Sequence, residues 1–398
     1  MDRHADPARL FLATTAVTAA GTAAIWIVLA VRLVVDLGLE PYQLALLGTA
    51  LELGVLASEV PTGVIADVVS RRISIILSFL VMGPALALSG VFEPFSLIAL
   101  TQVMWGVGWT MQSGADVAWL TDELRDPARV DRLVVRRSRV EVTARAAGVP
   151  LALLLNLFLS RTETIVAAGT SVFVWGLVLL VVMPETGFTR HPGAGLAEFR
   201  RVLLLGGRMA WRTPSLRLLA FSLVLVGLGA EAIDRLDVAR LVEVGIPDEF
   251  DEVVVVALLA LAKAGAAIVM LRLVERRLLS HGAARWLMLL FFSTAAAIAI
   301  VAGSDMVGVV IVALTVQEAL RYGADPLVIV LANRHDESDA RATVLSFLSQ
   351  ARSAGEIAGG ICLGALATAT SLSTAFTVSA VVFVGAGLVA GRAERAAI

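Results

Sequence analysis

The chain has 398 residues, of which 58% are hydrophobic and only 17% are charged. Soluble globular proteins carry about 45–50% apolar and about 25% charged residues, so this composition argues against a water-soluble enzyme. The net charge of −2 excludes a generally basic surface for nucleic acid, and a single cysteine, Cys362, excludes a disulfide framework. The composition therefore predicts a polytopic membrane protein.

Twelve predominantly apolar segments follow one another along the chain, and each is long enough for a helix to cross a bilayer core of about 30 Å. The runs are continuous, whereas barrel strands alternate, so we predict helices. The first run is too long for the apolar region of a signal peptide and is expected to be retained. The segments are Leu10–Val31, Tyr42–Ile65, Ile73–Phe92, Phe95–Leu120, Val140–Leu159, Thr164–Met183, Leu216–Ile233, Val253–Leu273, Trp286–Gly303, Met306–Ala332, Ala342–Leu366 and Leu372–Gly391.

Arginines are distributed unequally between the two sets of loops. The loops after even-numbered segments hold most of them, beginning with Arg71 and Arg72 and ending with Arg392 and Arg395 in the tail. Cytoplasmic loops collect Lys and Arg. We therefore predict a multi-pass protein of the inner (cytoplasmic) membrane with both termini in the cytoplasm.

The longest polar stretch divides the chain into an N-terminal bundle of six segments (1–183), a cytoplasmic linker (184–213) and a C-terminal bundle of six (214–398). Within the linker, Leu196–Arg212 mixes apolar residues with arginines. It is compatible with a helix lying on the membrane surface, and equally with a linker that has a helical turn or two.

Three short patterns recur in the same order about half a chain apart. Any one of them can arise by chance, but together they indicate an internal duplication, and two parallel repeats are typical of one large transporter class. The patterns are GAD at 114–116 and 323–325, ARAAG at 144–148 with ARSAG at 351–355, and Arg-Leu followed by Asp at Arg32 to Asp36 and at Arg235 to Asp237.

The end of the second segment carries Gly63, Asp67, Arg71 and Arg72, with Ser70 before the basic pair. This pattern resembles the signature loop of the major facilitator superfamily, although that loop usually has a glycine in place of Ser70. The resemblance covers essentially the whole chain. It implies an all-α membrane protein in which twelve transmembrane helices form two pseudo-symmetric six-helix bundles.

Two shorter stretches, at 59–63 and 119–122, look like bacterial drug-efflux-type members, which are proton antiporters. The resemblance implies that Asp67 faces the start of the eleventh helix, where a partial positive charge favours it. It also implies that Arg71 pairs with Asp122 to form a conformational latch. The alternative is an ordinary turn with arginines that extend toward the interface.

Ionisable residues inside the spans are candidates for function because each is costly in lipid unless it is paired or hydrated. The resemblance implies that the first, fourth, seventh and tenth helices line the cavity. Two pairs with i, i+4 spacing also suit a structural gate at the mouth. The candidates on these helices are Arg32, Asp36, Asp116, Glu231, Asp234, Arg235, Glu318, Arg321 and Asp325.

Two further arginines, on the fifth and eleventh spans, are expected beside two of these acids. We expect Arg145 near Asp116, and Arg352 near Asp325, at similar depths in the two repeats. The alternative to a functional role is two buried salt bridges, which are weak evidence for stability.

Proton coupling requires a buried carboxylate that changes protonation at physiological pH, and Asp116 and Glu231 are the best candidates. Trp105, Trp109 and Trp119 flank Asp116 in sequence. An aromatic wall beside an acid suits a lipophilic or cationic substrate. A lipid-facing or interfacial role for these tryptophans is an equal alternative.

We predict a secondary transporter that moves a small molecule by alternating access, through proton-coupled efflux of a lipophilic or drug-like compound. An importer of a sugar, organic acid or other metabolite is the alternative, although the spans offer few amides beyond Gln102, Gln112 and Gln317. An intramembrane lipid-modifying enzyme lacks its expected motifs, and a sensor lacks a signalling domain. The expected partners are a small-molecule substrate, protons and the bilayer. We expect a monomer with no cofactor, metal or nucleic acid.

Overall fold

A computed structural model describes residues 5–189, 208, 211–278, 282–333 and 341–395. These residues form thirteen α-helices, and no strand occurs among them. Five-residue π-helical turns, Arg32–Asp36, Ile65–Val69 and Val274–Leu278, extend α1, α2 and α9. The helices are α1 (Pro7–Val31), α2 (Pro41–Val64), α3 (Arg71–Val91), α4 (Phe95–Gln112), α5 (Ala115–Leu124), α6 (Pro127–Phe158), α7 (Arg161–Val182), α8 (Pro214–Val244), α9 (Glu252–Leu273), α10 (Ala283–Gly303), α11 (Val307–Asn333), α12 (Arg341–Ala369) and α13 (Leu372–Arg395).

Helices occur at all twelve predicted spans. Among the described residues, nine helices are long and apolar enough to cross a bilayer, and the bent pair Pro41–Glu59 and Pro61–Val69 makes ten when counted as one span. The fourth predicted span is divided between α4 and α5, and the eleventh, α12, carries polar side chains along its length. The predicted linker helix lies almost wholly outside the described residues.

The chain divides into two compact units. The N-terminal unit comprises Met1–Leu37 and Ala50–Phe199, and the C-terminal unit comprises Gly38–Thr49 and Arg200–Ile398. The first turns of α2 therefore group with the C-terminal unit, where the backbone N–H of Tyr42 donates to Thr368 Oγ1 at 2.9 Å. The three-part division at residues 184 and 213 stays a prediction.

The same pattern of helix packing occurs in both units. In the N-terminal unit α1 packs against α6 and α7, and α3 packs against α4 and α7. In the C-terminal unit α8 packs against α12 and α13, and α10 packs against α11 and α13. Each helix of the second set occupies the position of its counterpart in the repeat, so the two bundles are pseudo-symmetric.

One of the recurring patterns places a glycine at an equivalent helix crossing in each unit. Gly148 of α6 lies against the carbonyl of Ala20 in α1, and Gly355 of α12 lies against the carbonyl of Val224 in α8. A methyl group at either position would overlap that carbonyl. The glycines therefore allow the two backbones to touch, which is a common device in membrane helix packing.

The other tripeptide, GAD, adopts two different structures. Gly114 has φ +80°, a value that favours glycine, and it separates α4 from α5. Gly323 instead lies inside the continuous helix α11, against the side chain of Met270. Ser113 precedes the first glycine and Tyr322 the second, and sharp helix breaks often occur at Gly/Ser pairs.

Candidate functional site

A cavity of about 220 Å³ lies within the N-terminal unit. It is partly open and is lined by α1, the end of α4, the start of α5 and the middle of α6. Its lining residues are Thr15, Thr18, Ala19, Thr22, Trp109, Gln112, Ser113, Gly114, Asp116, Val117, Arg137, Glu141 and Arg145.

A ladder of threonines forms the α1 wall of this cavity. The hydroxyls of Thr15, Thr18 and Thr22 each donate to the carbonyl four residues earlier, at 3.0, 3.0 and 2.7 Å. A hydroxyl that donates to its own helix in this way has its hydrogen-bond donor satisfied within apolar surroundings. The wall thus presents methyl groups and oxygen lone pairs.

The helix break at Gly114 positions the buried carboxylate of the site. Asp116 falls in the first turn of α5, where it accepts the Val117 N–H at 2.7 Å. A carboxylate is stabilised at a helix start by the exposed N–H groups there. Its other oxygen lies 2.9 Å from Arg137 Nη1 of α6, and the Arg137 guanidinium lies 5.5 Å from the ring centre of Phe11.

The expected pairing of Asp116 with Arg145 is wrong. Arg145 instead pairs with Glu141 on its own helix, at 3.1 Å. Arg137 and Arg145 are eight residues apart on α6, about 12 Å along the axis, so only Arg137 reaches the start of α5. The cavity therefore carries two carboxylates, each with its own guanidinium, and its formal charge is balanced.

The three predicted cavity tryptophans have three different environments. Trp109 lines the cavity and is 41% exposed. Trp105 packs against Trp26 with ring centres 5.0 Å apart, and Trp119 is buried with its indole N–H donating to the Pro184 carbonyl at 2.8 Å. Trp105 and Trp119 are not among the residues that line this cavity, so their predicted role as cavity aromatics stays a prediction.

Gln112, the last residue of α4, is one of several described residues whose buried amide oxygen has no hydrogen-bond partner. Its side chain lines the cavity but is only 6% exposed, and its carbonyl oxygen Oε1 has no hydrogen-bond partner among the described residues. The sequence drew attention to this residue only as one of a few amides in the spans.

The signature loop forms a second cluster in the same unit. Arg71 contacts Asp122 of α5 directly, as the resemblance implies, and it also lies 3.4 Å from Asp67. Its guanidinium donates to the Ala118 carbonyl at 3.1 Å and lies 6.0 Å from the centre of the Phe188 ring. A Cβ at Gly63 meets no atom within 4 Å, so nothing in its surroundings requires a glycine.

Sequence reasoning missed the partners of this loop in the segment that follows α7. Ser70 caps α3 by accepting the Ile73 N–H at 2.9 Å, and its hydroxyl reaches Glu185 at 2.7 Å. The Arg72 N–H donates to the same carboxylate at 3.0 Å, and the Arg72 guanidinium donates to the Leu180 carbonyl at 2.6 Å. A serine before a helix is a recognisable capping signal, but its carboxylate partner lies far away in sequence.

A carboxylate of α5 holds the same segment from the other side. Glu123 accepts the backbone N–H groups of Thr186 and Gly187 at 2.6 and 2.9 Å. Residues 184–188 are therefore fixed to both the signature loop and the end of α5.

The C-terminal unit places most of the remaining candidates in ion pairs. Arg321 of α11 grips Asp234 of α8 with two hydrogen bonds of 2.6 and 2.7 Å, and Glu318 lies 3.8 Å from the same guanidinium. Glu231 pairs with Arg235 at 3.0 Å, one turn along α8, as the i, i+4 spacing predicts. These side chains are not among the residues that line the cavity of the N-terminal unit.

Two further pairs join helices of this unit. Lys263 of α9 binds Asp237 of α8 at 2.7 Å. Arg352 lies 3.1 Å from Asp325, as expected, and 3.2 Å from Glu356. Arg352 is the counterpart of Arg145 in the repeat, so Asp325 forms the kind of pair that Asp116 and Arg145 do not form.

Arg32 and Asp36 have i, i+4 spacing, but Asp36 pairs with a residue of another helix. Asp36 ends the π-helical turn and binds Arg161 at the start of α7. Arg32 is buried, and its Nε has no hydrogen-bond partner among the described residues. Asp36 therefore fixes the loop ends of α1 and α7 to each other.

Two helical bundles of repeated packing, with ion pairs inside apolar spans, are typical of a polytopic membrane protein built from two repeats. The model of the Major Facilitator Superfamily matches residues 11–349. The chain belongs to this superfamily and is a transporter rather than an enzyme, and the expected all-α fold is confirmed.

Two solved proteins show how similar the fold is. The nucleoside transporter NupG has a TM-score of 0.81 and 12% identity over 98% of this chain and 100% of that one, and a mutant of NupG has a TM-score of 0.82 at 11% identity over the same shares. A bacterial homologue of the human lysosomal transporter Spinster, in an inward-facing and unoccupied conformation, has a TM-score of 0.71 and 16% identity over 98% and 97%. Identities this low show the fold alone. None of the curated proteins compared with the chain matches it significantly in sequence.

Proposed function

We propose that this protein is a proton-coupled exporter of a small amphipathic compound, and that Asp116 carries the proton. The observation that supports this is the position of Asp116, buried at the wall of a cavity and held by one guanidinium. Protonation of Asp116 releases Arg137 and changes the charge of the cavity by one unit. A proton and a substrate that contacts either side chain are therefore coupled through this pair.

Transport in everted membrane vesicles tests the proposal. An imposed proton gradient should drive accumulation of lipophilic amines and neutral aromatic dyes by the wild type. Asp116→Asn should abolish the response to the gradient but keep substrate exchange without one, because the amide resembles the protonated acid. Asp325→Asn, in the equivalent tripeptide of the other repeat, is the matched control and should keep gradient-driven transport. A normal gradient response in Asp116→Asn would exclude this residue as the proton carrier.

Import of a metabolite is the second candidate, and the polarity of the cavity favours it. Threonines, Ser113 and Gln112 form much of the lining. The similar solved protein NupG is a nucleoside transporter, so this fold can carry a metabolite. Proton-driven uptake into right-side-out vesicles, with no accumulation in everted ones, would favour import over export.

The signature loop is proposed to act as a conformational latch through the contact between Arg71 and Asp122. Arg71→Ala should slow transport several-fold while the amount of protein in the membrane stays near normal. Arg129→Ala, which removes an exposed arginine at the start of α6, is the control. Normal transport by Arg71→Ala would show that the loop is only a structural turn.

The orientation and assembly of the chain remain proposals. We propose that both termini are cytoplasmic in the inner membrane and that the protein works as a monomer. A reporter that works only in the cytoplasm should be active when it is fused after Ile398. Activity of a periplasm-specific reporter at that point would reverse the proposed orientation.

A further inference from the structure

Four arginines form a stripe along the outer face of the first part of α6. They are Arg129, Arg132, Arg136 and Arg139, and each of them is exposed. Successive residues of an α-helix are about 100° apart around its axis, so these four fall within a sector of about 80°. The stripe therefore concentrates positive charge on one side of the helix.

Three of these arginines, Arg132, Arg136 and Arg139, have no carboxylate within 4 Å in the part of the chain that the structure describes. Asp131, which precedes Arg132 in sequence, lies about 80° outside the sector. Glu141 lies on the opposite side of the helix, where it lines the cavity. Three positive charges therefore face outward without a counter-charge from the described residues.

The same face of α6 becomes apolar toward the end of the helix. Pro150, Leu154 and Leu157 continue the sector of the arginines and are exposed, and Phe158 lies at its edge. Leu157 and Phe158 are 77% and 81% exposed. Large apolar side chains that are exposed on a helix of this length and composition are expected to contact lipid chains. The arginines therefore lie on the face of α6 that meets the bilayer.

The length of this face places the arginines at the depth of the lipid headgroups. Arg139 precedes Phe158 by about 28 Å along the helix axis, which matches a bilayer core of about 30 Å. Arg136 and Arg132 lie about 5 and 10 Å farther out, and the headgroup layer on each side is about 5–8 Å thick. The long arginine side chain can extend along the helix to reach that layer. Arg129, about 15 Å beyond Arg139, lies outside it.

We propose that Arg132, Arg136 and Arg139 bind the headgroup of an acidic phospholipid, whose acyl chains lie along the apolar part of the same helix face. Guanidinium groups bind phosphate oxygens through paired, charge-assisted hydrogen bonds. An acidic lipid complements the three unpaired charges, whereas a zwitterionic lipid brings a positive group of its own. The site lies on the outer face of α6, so it is separate from the cavity and from the proposed coupling.

Lipid binding to the purified full-length protein in detergent, measured by native mass spectrometry, tests the proposal. The probes are dioleoyl phosphatidylglycerol, which is acidic, and dioleoyl phosphatidylcholine, which has the same chains but no net charge. The wild type should bind the acidic lipid at least about fivefold more tightly, because each arginine near an acidic headgroup contributes roughly that factor. The triple variant Arg132→Gln, Arg136→Gln, Arg139→Gln should lower the preference below about twofold. Lysine at the same three positions keeps the charge and should keep most of the preference.

Two matched controls separate a site from the effect of net charge. A second triple variant, Arg272→Gln, Arg285→Gln, Arg392→Gln, removes three exposed arginines from three different helices of the C-terminal unit and should keep the preference. Arg129→Gln removes the arginine of the stripe that lies beyond the headgroups, 3.9 Å from Asp6, and should also keep it. Soluble glycerol phosphate should not displace the acidic lipid, because it lacks the acyl chains.

Four outcomes would overturn the proposal. They are equal binding of the two lipids by the wild type, a preference that survives the glutamine triple variant of α6, an equal loss in the triple variant of the C-terminal unit, and displacement of the lipid by glycerol phosphate, which would indicate a site for a soluble anion. If the triple variant of α6 does not stay folded, the single variant Arg136→Gln should still lower the preference, and an unchanged preference there would also overturn the proposal. The assay uses no gradient and no transported compound, so its result is independent of the proposed function.

Discussion

Replacing Asp116 and Arg137, singly and together, measures how strongly the cavity depends on its central ion pair. The Asp116 side chain is 6% exposed and the Arg137 side chain is 28% exposed. Arg137→Gln leaves a buried carboxylate alone, which costs roughly 3–5 kcal/mol when no other group neutralises it. Asp116→Asn leaves a guanidinium that still reaches solvent, so we expect a smaller loss of about 1–2 kcal/mol.

The double variant should recover part of the loss, because neither charge is then left unpaired. We expect a coupling free energy of roughly 2 kcal/mol from the full double-mutant cycle. The equivalent pair of the other repeat, Asp325 and Arg352, is 52% and 31% exposed. Because that pair is less buried than Asp116 and Arg137, its coupling free energy should be smaller.

Reversible unfolding by sodium dodecyl sulfate in mixed micelles, followed by helical circular dichroism, gives the free energies of unfolding for both cycles. Equal coupling in the two repeats would refute the argument that burial decides the strength of these pairs. An unstable Asp116→Asn that the double variant rescues, with normal gradient-driven transport in the double variant, would make Asp116 a structural residue. Glu231 would then be the next carboxylate to test for proton coupling.

Three further changes should lower the free energy of unfolding measured in the same assay. Gly148→Ala should cost about 1–3 kcal/mol, because its methyl group overlaps a carbonyl of α1. The control is Gly265→Ala, whose methyl group meets no atom within 4 Å and which should therefore be near neutral. Equal effects of the two substitutions would contradict the steric argument. Gly114→Ala should cost about 1–2 kcal/mol because φ is +80° there, and an unchanged stability would show that the helix break moves freely. Ser70→Ala should cost about 1 kcal/mol, because it removes the helix cap and the hydrogen bond to Glu185. Ser70→Thr should keep most of the stability, because threonine also has a hydroxyl. Equal losses from the two substitutions would indicate a packing effect instead.

The class of protein and its repeat could be predicted from local patterns. Continuous apolar runs specify helices because lipid leaves no other way to satisfy the backbone, and this holds for each segment separately. The contact between Arg71 and Asp122 could also be predicted, because the resemblance of the signature loop implied it. The glycines of the ARAAG and ARSAG patterns, Gly148 and Gly355, lie at equivalent crossings because both copies need the same close approach.

The partners of the buried charges were decided only by the tertiary structure. Sequence places Asp116, Arg137 and Arg145 in neighbouring segments, but a left-handed glycine at Gly114 sets the direction in which Asp116 points. The identical tripeptide at Gly323 stays helical, so the tripeptide by itself does not determine the outcome. Ion pairs and unpaired acceptors depend on side-chain ends that meet across helices, and a rotation of one helix by a fraction of a turn exchanges one partner for another.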